Sequence, residues 1–291
     1  MGDLTGVRLR PDFRRQQRCF RDVRSAERLI AHYRLERALS DRLRQAPREA
    51  RSRVYQEVYQ DLFAALPDHP QRLVRRDHAA NVEARCRRLG KRLQPHYVFL
   101  EIGCGDAALS FAVAHSVRTA YGLDVTEALI DFAAAPANFT FRRTTGIDIP
   151  LPSEAVDFAY SNQLIEHLHP DDAADRLKEV WRVLKPGGRY MCVTPSRITG
   201  PHDISCFFDY QAAGLHLREY DYGSLRMLFR DAGFRKFSCS ASARSLEIGL
   251  PYPLARLLER GLLALPRPLR ASLTRSAPVR ALMGLNAVAV K

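Results

Sequence analysis

The residues best suited to chemistry lie in VFLEIGCGDA (Val98–Ala107), a buried strand that runs into a tight glycine turn and then a helix. Gly103 and Gly105 let the backbone pass close to a ligand where a Cβ would collide. The first turn of the following helix offers unpaired N–H groups to a polar ligand tail. A purely structural connection can use the same turn, so Asp124 matters. It closes the strand AYGLDV nineteen residues after Gly105, where an acid is placed to grip both hydroxyls of a ribose. Together the two features indicate a nucleoside ligand. Glu101 ahead of the glycines and Asp106 behind them would repel a pyrophosphate, but they suit a ligand bearing an amino group and a sulfonium.

The elements that must position these residues can be read from apolar spacing. Up to Leu66 the apolar residues recur at helical spacing, Leu29, Tyr33, Leu35, Leu39 and Leu43 and then Val54, Val58, Leu62 and Phe63, which predicts two helices. A third is expected from about Pro70 to Leu93, and residues 1–20 should be loose. After Pro95 short apolar runs alternate with helical segments. Strands are expected at Tyr97–Ile102, Thr119–Val125, Phe139–Thr144, Val156–Ser161, Arg189–Thr194, Phe237–Ala241 and Asn286–Val290. Helices are expected at Ala107–Ser116, Glu127–Ala135, Asp171–Leu184 and around Gly223–Ala232. This alternation is the pattern of an α/β fold, a mostly parallel sheet covered on both faces. The domain reading is a basic helical cap over 1–95 and an α/β domain over 96–291, with a lid at 197–222 and a helical insertion at 245–284.

Composition narrows the class. The 291 residues are 46% hydrophobic and 26% charged, which excludes a fully disordered chain. No apolar run approaches the ~18–20 residues of a membrane span, and MGDLTGVRLRPDFRRQQ lacks the apolar core of a secretory signal. Six scattered cysteines suit free thiols in a reducing cytoplasm. The formal charge of +13 is concentrated early: residues 1–95 hold 23 of the 45 Lys and Arg but only 12 of the 32 acids. Arginines at this density suit a nucleic-acid surface, a dock for an anionic substrate or membrane, or a solvated helical face.

At this point the sequence resembles the class I S-adenosylmethionine-dependent methyltransferases, in particular their small-molecule type. The resemblance runs from about Val98 to Ser196 and more weakly to Lys291. IDIPLPSEAVDFAYSNQLIEHL is similar to the family's approach to strand four. RLKEVWRVLKPGGRYMCVTPS is similar to its helix, Lys-Pro-Gly-Gly turn and fifth strand. The resemblance implies a Rossmann-like seven-stranded sheet whose last strand inserts antiparallel between earlier ones. It implies S-adenosylmethionine as cofactor and S-adenosylhomocysteine as product. Gly103, Cys104 and Gly105 would pass beneath the methionine part, with Glu101 and Asp106 near its ammonium. Asp124 would bind the ribose and Val125 would pack on adenine. Ile147 and Asp148 would lie at the adenine edge, and Ser161 and Asn162 at the border with the acceptor.

Methyl transfer to a hydroxyl needs alignment in a dry pocket and a general base, for which histidine suits neutral pH. His167 and His169 follow strand four, and His202 with Asp203 follows strand five in GPHD. The catalytic candidates are therefore His202, His167 and Asp203. Ubiquinone-biosynthesis O-methyltransferases resemble this chain in the strand-four loop, where a Glu-x-x-Glu-His arrangement can hold a divalent cation. Gln163 replaces the first Glu here, so a metal is disfavoured. The expectation is a cytoplasmic enzyme that O-methylates a small acceptor, a sugar or secondary metabolite, with anionic or glycosylated molecules suiting it. The alternatives are methylation of RNA or DNA gripped by the arginine-rich helices, and a non-catalytic cofactor-binding protein. Residues 250–275 would supply any peripheral membrane contact, and a homodimer fits the same insertion.

Overall fold

The computed structural model describes residues 6–69, 78–243 and 246–291. Four helices come first: α1 (Phe13–Phe20), α2 (Ala26–Gln45), α3 (Arg48–Ala65) and α4 (His78–Gly90). They are followed by β1 (Val98–Ile102), α5 (Ala108–Ala114), β2 (Thr119–Asp124), β3 (Phe139–Arg143), β4 (Val156–Asn162), α6 (Pro170–Val183), β5 (Leu184–Thr194), α7 (Tyr222–Asp231) and β6 (Lys236–Ala243). The C-terminal part holds β7 (Leu246–Leu250), α8 (Tyr252–Ala264), α9 (Arg267–Leu273), α10 (Ala277–Met283) and β8 (Leu285–Val290). No described helix is long and apolar enough to cross a membrane.

The strands form one sheet in the order β3-β2-β1-β4-β5-β8-β6-β7. From β3 to β5 neighbouring strands are parallel, and β8 runs antiparallel between β5 and β6. The chain winds outward from β1 in both directions, so the order reverses between β1 and β4. In open α/β sheets such a reversal is where ligands bind, in a crevice beyond the carboxyl ends of the strands. The register sets Ile102 opposite Ser161, which brings the Gly103–Gly105 turn beside Asn162. β1 is buried along its whole length, and this is why VFLEI shows no alternation of polar and apolar residues.

Local chemistry accounts for the helix boundaries near the crevice. Pro170 opens α6, and the His169 side chain accepts the Asp171 N–H. Asp221 and Ser224 form a reciprocal capping box at α7. On α2, Leu29, Tyr33, Leu39 and Leu43 are buried together with His32, Glu36 and Ser40. The inner face of the cap is thus partly polar.

Three expectations need correction. The helix expected at Glu127–Ala135 is only a 3-10 turn at Phe132–Ala134. Leu129 and Phe132 stay exposed, so a helix there would bury no apolar face to support it. The sheet has eight strands rather than seven, because β7 pairs antiparallel with β6 and extends the edge. The insertion at 245–284 therefore begins as a strand before its three helices. The stretch expected to be loose contains α1, although α1 buries none of its residues. The third expected helix is described from His78 to Gly90, and residues 70–77 of its expected span lie outside the described residues.

Candidate active site

The glycine turn is left-handed at both expected positions, with φ of +74° at Gly103 and +57° at Gly105. Its N–H groups are committed inward: Gly103 and Cys104 donate to the Leu123 carbonyl, at 2.7 and 3.1 Å. Gly105 donates to Asp124 Oδ2 at 2.9 Å, while Val125 donates to Asp124 Oδ1 at 2.7 Å. Asp124 therefore braces the turn as well as ending β2, and burial pushes its carboxyl above the usual range. A Cβ built on Gly105 would meet nothing within 4 Å, and one on Gly103 would meet Leu164 at 3.3 Å. Open space thus lies over the turn, walled by the loop after β4, with the half-buried Asp124 carboxylate at its edge. An elongated molecule carrying a diol fits these residues.

Other predicted cofactor residues are placed less directly. Glu101 is buried and accepts a hydrogen bond from Ser110 Oγ at 2.6 Å. Burial pushes it up to about 7. Its ionisation therefore costs folding free energy increasingly as pH rises from about 4.5 to about 7. Glu101→Gln should stabilise the protein at pH 8 by on the order of 2 kcal/mol and change little at pH 4, in urea titrations at the two pH values. Equal effects at both pH values would contradict this reading. Asp106 is exposed and accepts from the Ala108 N–H. Cys104 is buried, and burial pushes its thiol well up.

Asp148 accepts from Thr144 Oγ1 and the Thr145 N–H, at 3.1 and 2.8 Å. Burial raises its pKa, but the Thr145 and Thr144 hydrogen bonds outweigh this and hold it below the carboxylate norm. Ile147 stands half-buried in the same loop and Val125 half-buried after β2. Ser161 is buried, with its hydroxyl 2.6 Å from Tyr190 Oη. That leaves Asn162 as the member of the pair that reaches the crevice.

Asn162 lines a cavity of about 320 Å³ together with Gln163, Thr194, Ser196 and His202. The structure thus brings His202 to the ends of β4 and β5. His202 Nε2 lies 2.9 Å from Thr199 Oγ1, and its backbone N–H donates to Glu219 Oε1 at 2.7 Å. Burial lowers the pKa of the ring. Asp203 is turned elsewhere: its carboxylate accepts from the Ser205 and Gly214 N–H groups, both at 2.9 Å, and burial raises it to about 6.

His167 is not among the residues lining the cavity; its Nδ1 donates to the Leu215 carbonyl at 3.0 Å, and its ring packs edge-on against His216. Burial and then the His216 charge push it down to about 3. Glu166, His167 and His216 hold donor atoms within 4.8 Å of one another, as do His32, Glu36 and His69. In the first trio His216 is held by Glu219 at 2.8 Å. Burial lowers its pKa, but the Glu219 hydrogen bond and nearby acids outweigh this and raise it to about 9, so a cation there would compete with a firmly held proton. Glu219, His216 and Glu36 had no motif to mark them. Only Gly200 hints at Glu219, since a Cβ there would collide with the Glu219 carboxylate.

Residues 100–192 match the family of the methyltransferase domain. This stretch is similar to the S-adenosylmethionine-dependent methyltransferases. Over 136 residues, 46% of its length, the chain is 35% identical to a probable S-adenosylmethionine-dependent methyltransferase of Mycolicibacterium smegmatis, covering 51% of that protein. It is 32% identical to a Mycobacterium tuberculosis protein of the same description over 136 residues, again 46% of the chain and 47% of that protein. The match thus spans about half the length of these curated relatives. The fold is similar to that of phosphoethanolamine N-methyltransferase 1 from Haemonchus contortus, with a TM-score of 0.53 and 14% identity over 82% of this chain and 49% of that one. The match to the methyltransferase family ends at Cys192, so the segment 197–222 with His202 and the last three described helices lie outside it.

Proposed function

We propose that the chain is an S-adenosylmethionine-dependent methyltransferase that methylates a hydroxyl of a small molecule, such as a sugar or secondary metabolite. The observation that carries this reading is the cavity where Asn162, Thr194 and His202 meet, at the carboxyl ends of β4 and β5, with Ser161, the neighbour of Asn162, in register with Ile102 before the glycine turn. Asp124 would hold the ribose diol of the cofactor, and Gly103 and Gly105 would floor its methionine part. Bound there, S-adenosylmethionine supplies an electrophilic methyl group that leaves a sulfonium by in-line displacement. His202 takes the proton of the acceptor hydroxyl, a role that requires a neutral ring at pH 7, and burial favours the neutral form. Glu219 positions His202 by accepting its backbone N–H. Leu164 and the buried Pro195 and Ser196 limit access of water.

The test is calorimetric titration of S-adenosylmethionine and S-adenosylhomocysteine into the wild type and Asp124→Ala. Losing charge-assisted hydrogen bonds to a diol should weaken binding about tenfold to a hundredfold. No binding by the wild type, or equal binding by the variant, would sink the assignment of this site.

A further inference from the structure

A second cavity, of about 440 Å³, adjoins the one that holds His202 and shares Thr199 with it. Gly200 and Pro201 line the second cavity and His202 the first, so the Thr199–His202 segment is the partition between them. Five guanidinium side chains face the second cavity, from Arg10, Arg197, Arg218, Arg270 and Arg275, against one carboxylate, Glu219. They come from the N-terminal segment, the lid and the C-terminal helices, all outside residues 100–192.

Three of the five cations are already paired. Arg10 and Arg275 both hold Asp12, and Arg197 holds Asp221. Glu219 is occupied by the His202 N–H and the His216 ring. Arg218 and Arg270 have no carboxylate partner among the described residues. Arg218 lies over the Tyr220 ring at 5.3 Å, and Arg270 reaches only the Leu263 carbonyl at 3.5 Å. The adjoining cavity adds Arg85, Arg88 and Arg280 to its lining and no carboxylate. Unneutralised cations in a concave, part-buried space concentrate an anion, and guanidinium forks match phosphate oxygens in geometry and charge.

We propose that this cavity binds a phosphoryl group of the methyl acceptor, with Arg218 and Arg270 as its direct ligands. The proposal rests on the methyl-transfer reading for the word acceptor: a molecule anchored here extends past Thr199 and presents a hydroxyl to His202. The volume lies within the ordinary ~300–1,000 Å³ of small-molecule sites, so there is room for more than the phosphoryl group alone.

The experiment titrates inorganic pyrophosphate calorimetrically into wild type, Arg218→Gln and the double variant Arg218→Gln/Arg270→Gln, at ~0.15 M salt to suppress diffuse attraction. S-adenosylhomocysteine is titrated into the same preparations. The wild type should bind pyrophosphate, the single variant should bind it more weakly, and the double variant at least about tenfold more weakly, with the melting temperature and S-adenosylhomocysteine binding unchanged. No pyrophosphate binding by the wild type, or binding that the double variant leaves intact, overturns the proposal. Pyrophosphate binding without S-adenosylhomocysteine binding upholds the anion site and overturns the methyl-transfer reading instead. Phosphatidylglycerol vesicles identify the source of the phosphoryl group. Vesicle binding that pyrophosphate competes away and the double variant loses assigns a lipid headgroup. Vesicle binding that is absent, or indifferent to the variant, assigns a water-soluble phosphate ester.

Discussion

Arg51→Met should lower the unfolding free energy by about 3–5 kcal/mol, the typical cost of stripping one partner from a buried ion pair. Arg51 sits on α3 and is almost wholly buried. Its guanidinium lies 3.3 Å from Asp172 and 3.5 Å from Asp171, at the start of α6, and also donates to His169 Nδ1. Asp172 has 0% exposure, and its other support is the Tyr55 hydroxyl at 3.0 Å. Tyr55 Oη in turn accepts the His169 N–H at 2.6 Å. This cluster fastens the N-terminal cap to the helix that follows the crevice. A methionine fills most of the volume but leaves a carboxylate in a dry site with one hydrogen bond. Urea unfolding measures the loss directly, and a melting temperature lower by roughly 10 °C should accompany it. A second variant, Arg51→Met/Asp172→Asn, removes the stranded charge and should recover part of the stability, because the two residues form one network. A loss below about 1 kcal/mol in the single variant would show that water reaches the pair.

The same cluster bears on the arginine-rich first third, for which three readings were open. Arg24 pairs with Asp22, Arg28 with Asp68, Arg42 with Glu57 and Asp61, Arg48 with Asp175, and Arg51 with the start of α6. Much of the basic character is thus structural, with several pairs linking separate elements. Spacing showed the acids interleaved with the arginines, yet Asp175 lies 127 residues from Arg48. Nothing local marks such a pairing.

What was legible follows the same division. The glycine turn, Asp124 at its strand end and the strand ahead of the turn were readable because each answers a local demand: a left-handed φ, an acid at a strand end, or a run of buried residues. The antiparallel insertion of β8 came from the family resemblance. The Glu127–Ala135 helix failed because apolar spacing does not tell whether a face has anything to pack against. Asp203 was expected beside His202, but its carboxylate caps its own turn, and Glu219 approaches the histidine instead. Aspartate commonly satisfies backbone N–H groups two residues on, a competing use that adjacency in GPHD conceals. The arginines lining the second cavity come from three distant segments, and only the fold brings them together.

Glu36→Gln should cost about 3 kcal/mol at pH 7 and flatten the acid side of the stability profile. Glu36 is buried on α2, and Leu215 donates its N–H to Oε2 at 3.0 Å. On the other oxygen His32 Nε2 approaches to 2.7 Å. Arginine has no acceptor, so the 2.7 Å contact from Arg24 Nη1 requires His32 Nδ1 to accept. The proton of His32 must then sit on Nε2 and point at Glu36. Both carboxylate oxygens therefore face donors, and a glutamine, whichever way it turns, sets an NH₂ against one of them. Burial raises the pKa of Glu36, but the His32 and His69 hydrogen bonds and the Leu215 N–H outweigh it and hold the group well below the carboxylate range. The sign follows: a depressed folded pKa gives stability that is complete above the unfolded value near 4.5 and is lost as pH falls below it. Wild type should weaken steeply between pH 4.5 and 3, whereas Glu36→Gln should weaken less over that interval, in urea midpoints measured at fixed salt. Leu215 precedes His216, which holds Glu219 and through it the His202 backbone. The variant should therefore also loosen the wall between the two cavities while leaving Asp124 and S-adenosylhomocysteine binding undisturbed. Parallel pH profiles for the two proteins would mean that Glu36 is not ionised in the folded state, and the chain of hydrogen bonds from the cap to His202 would lose its anchor.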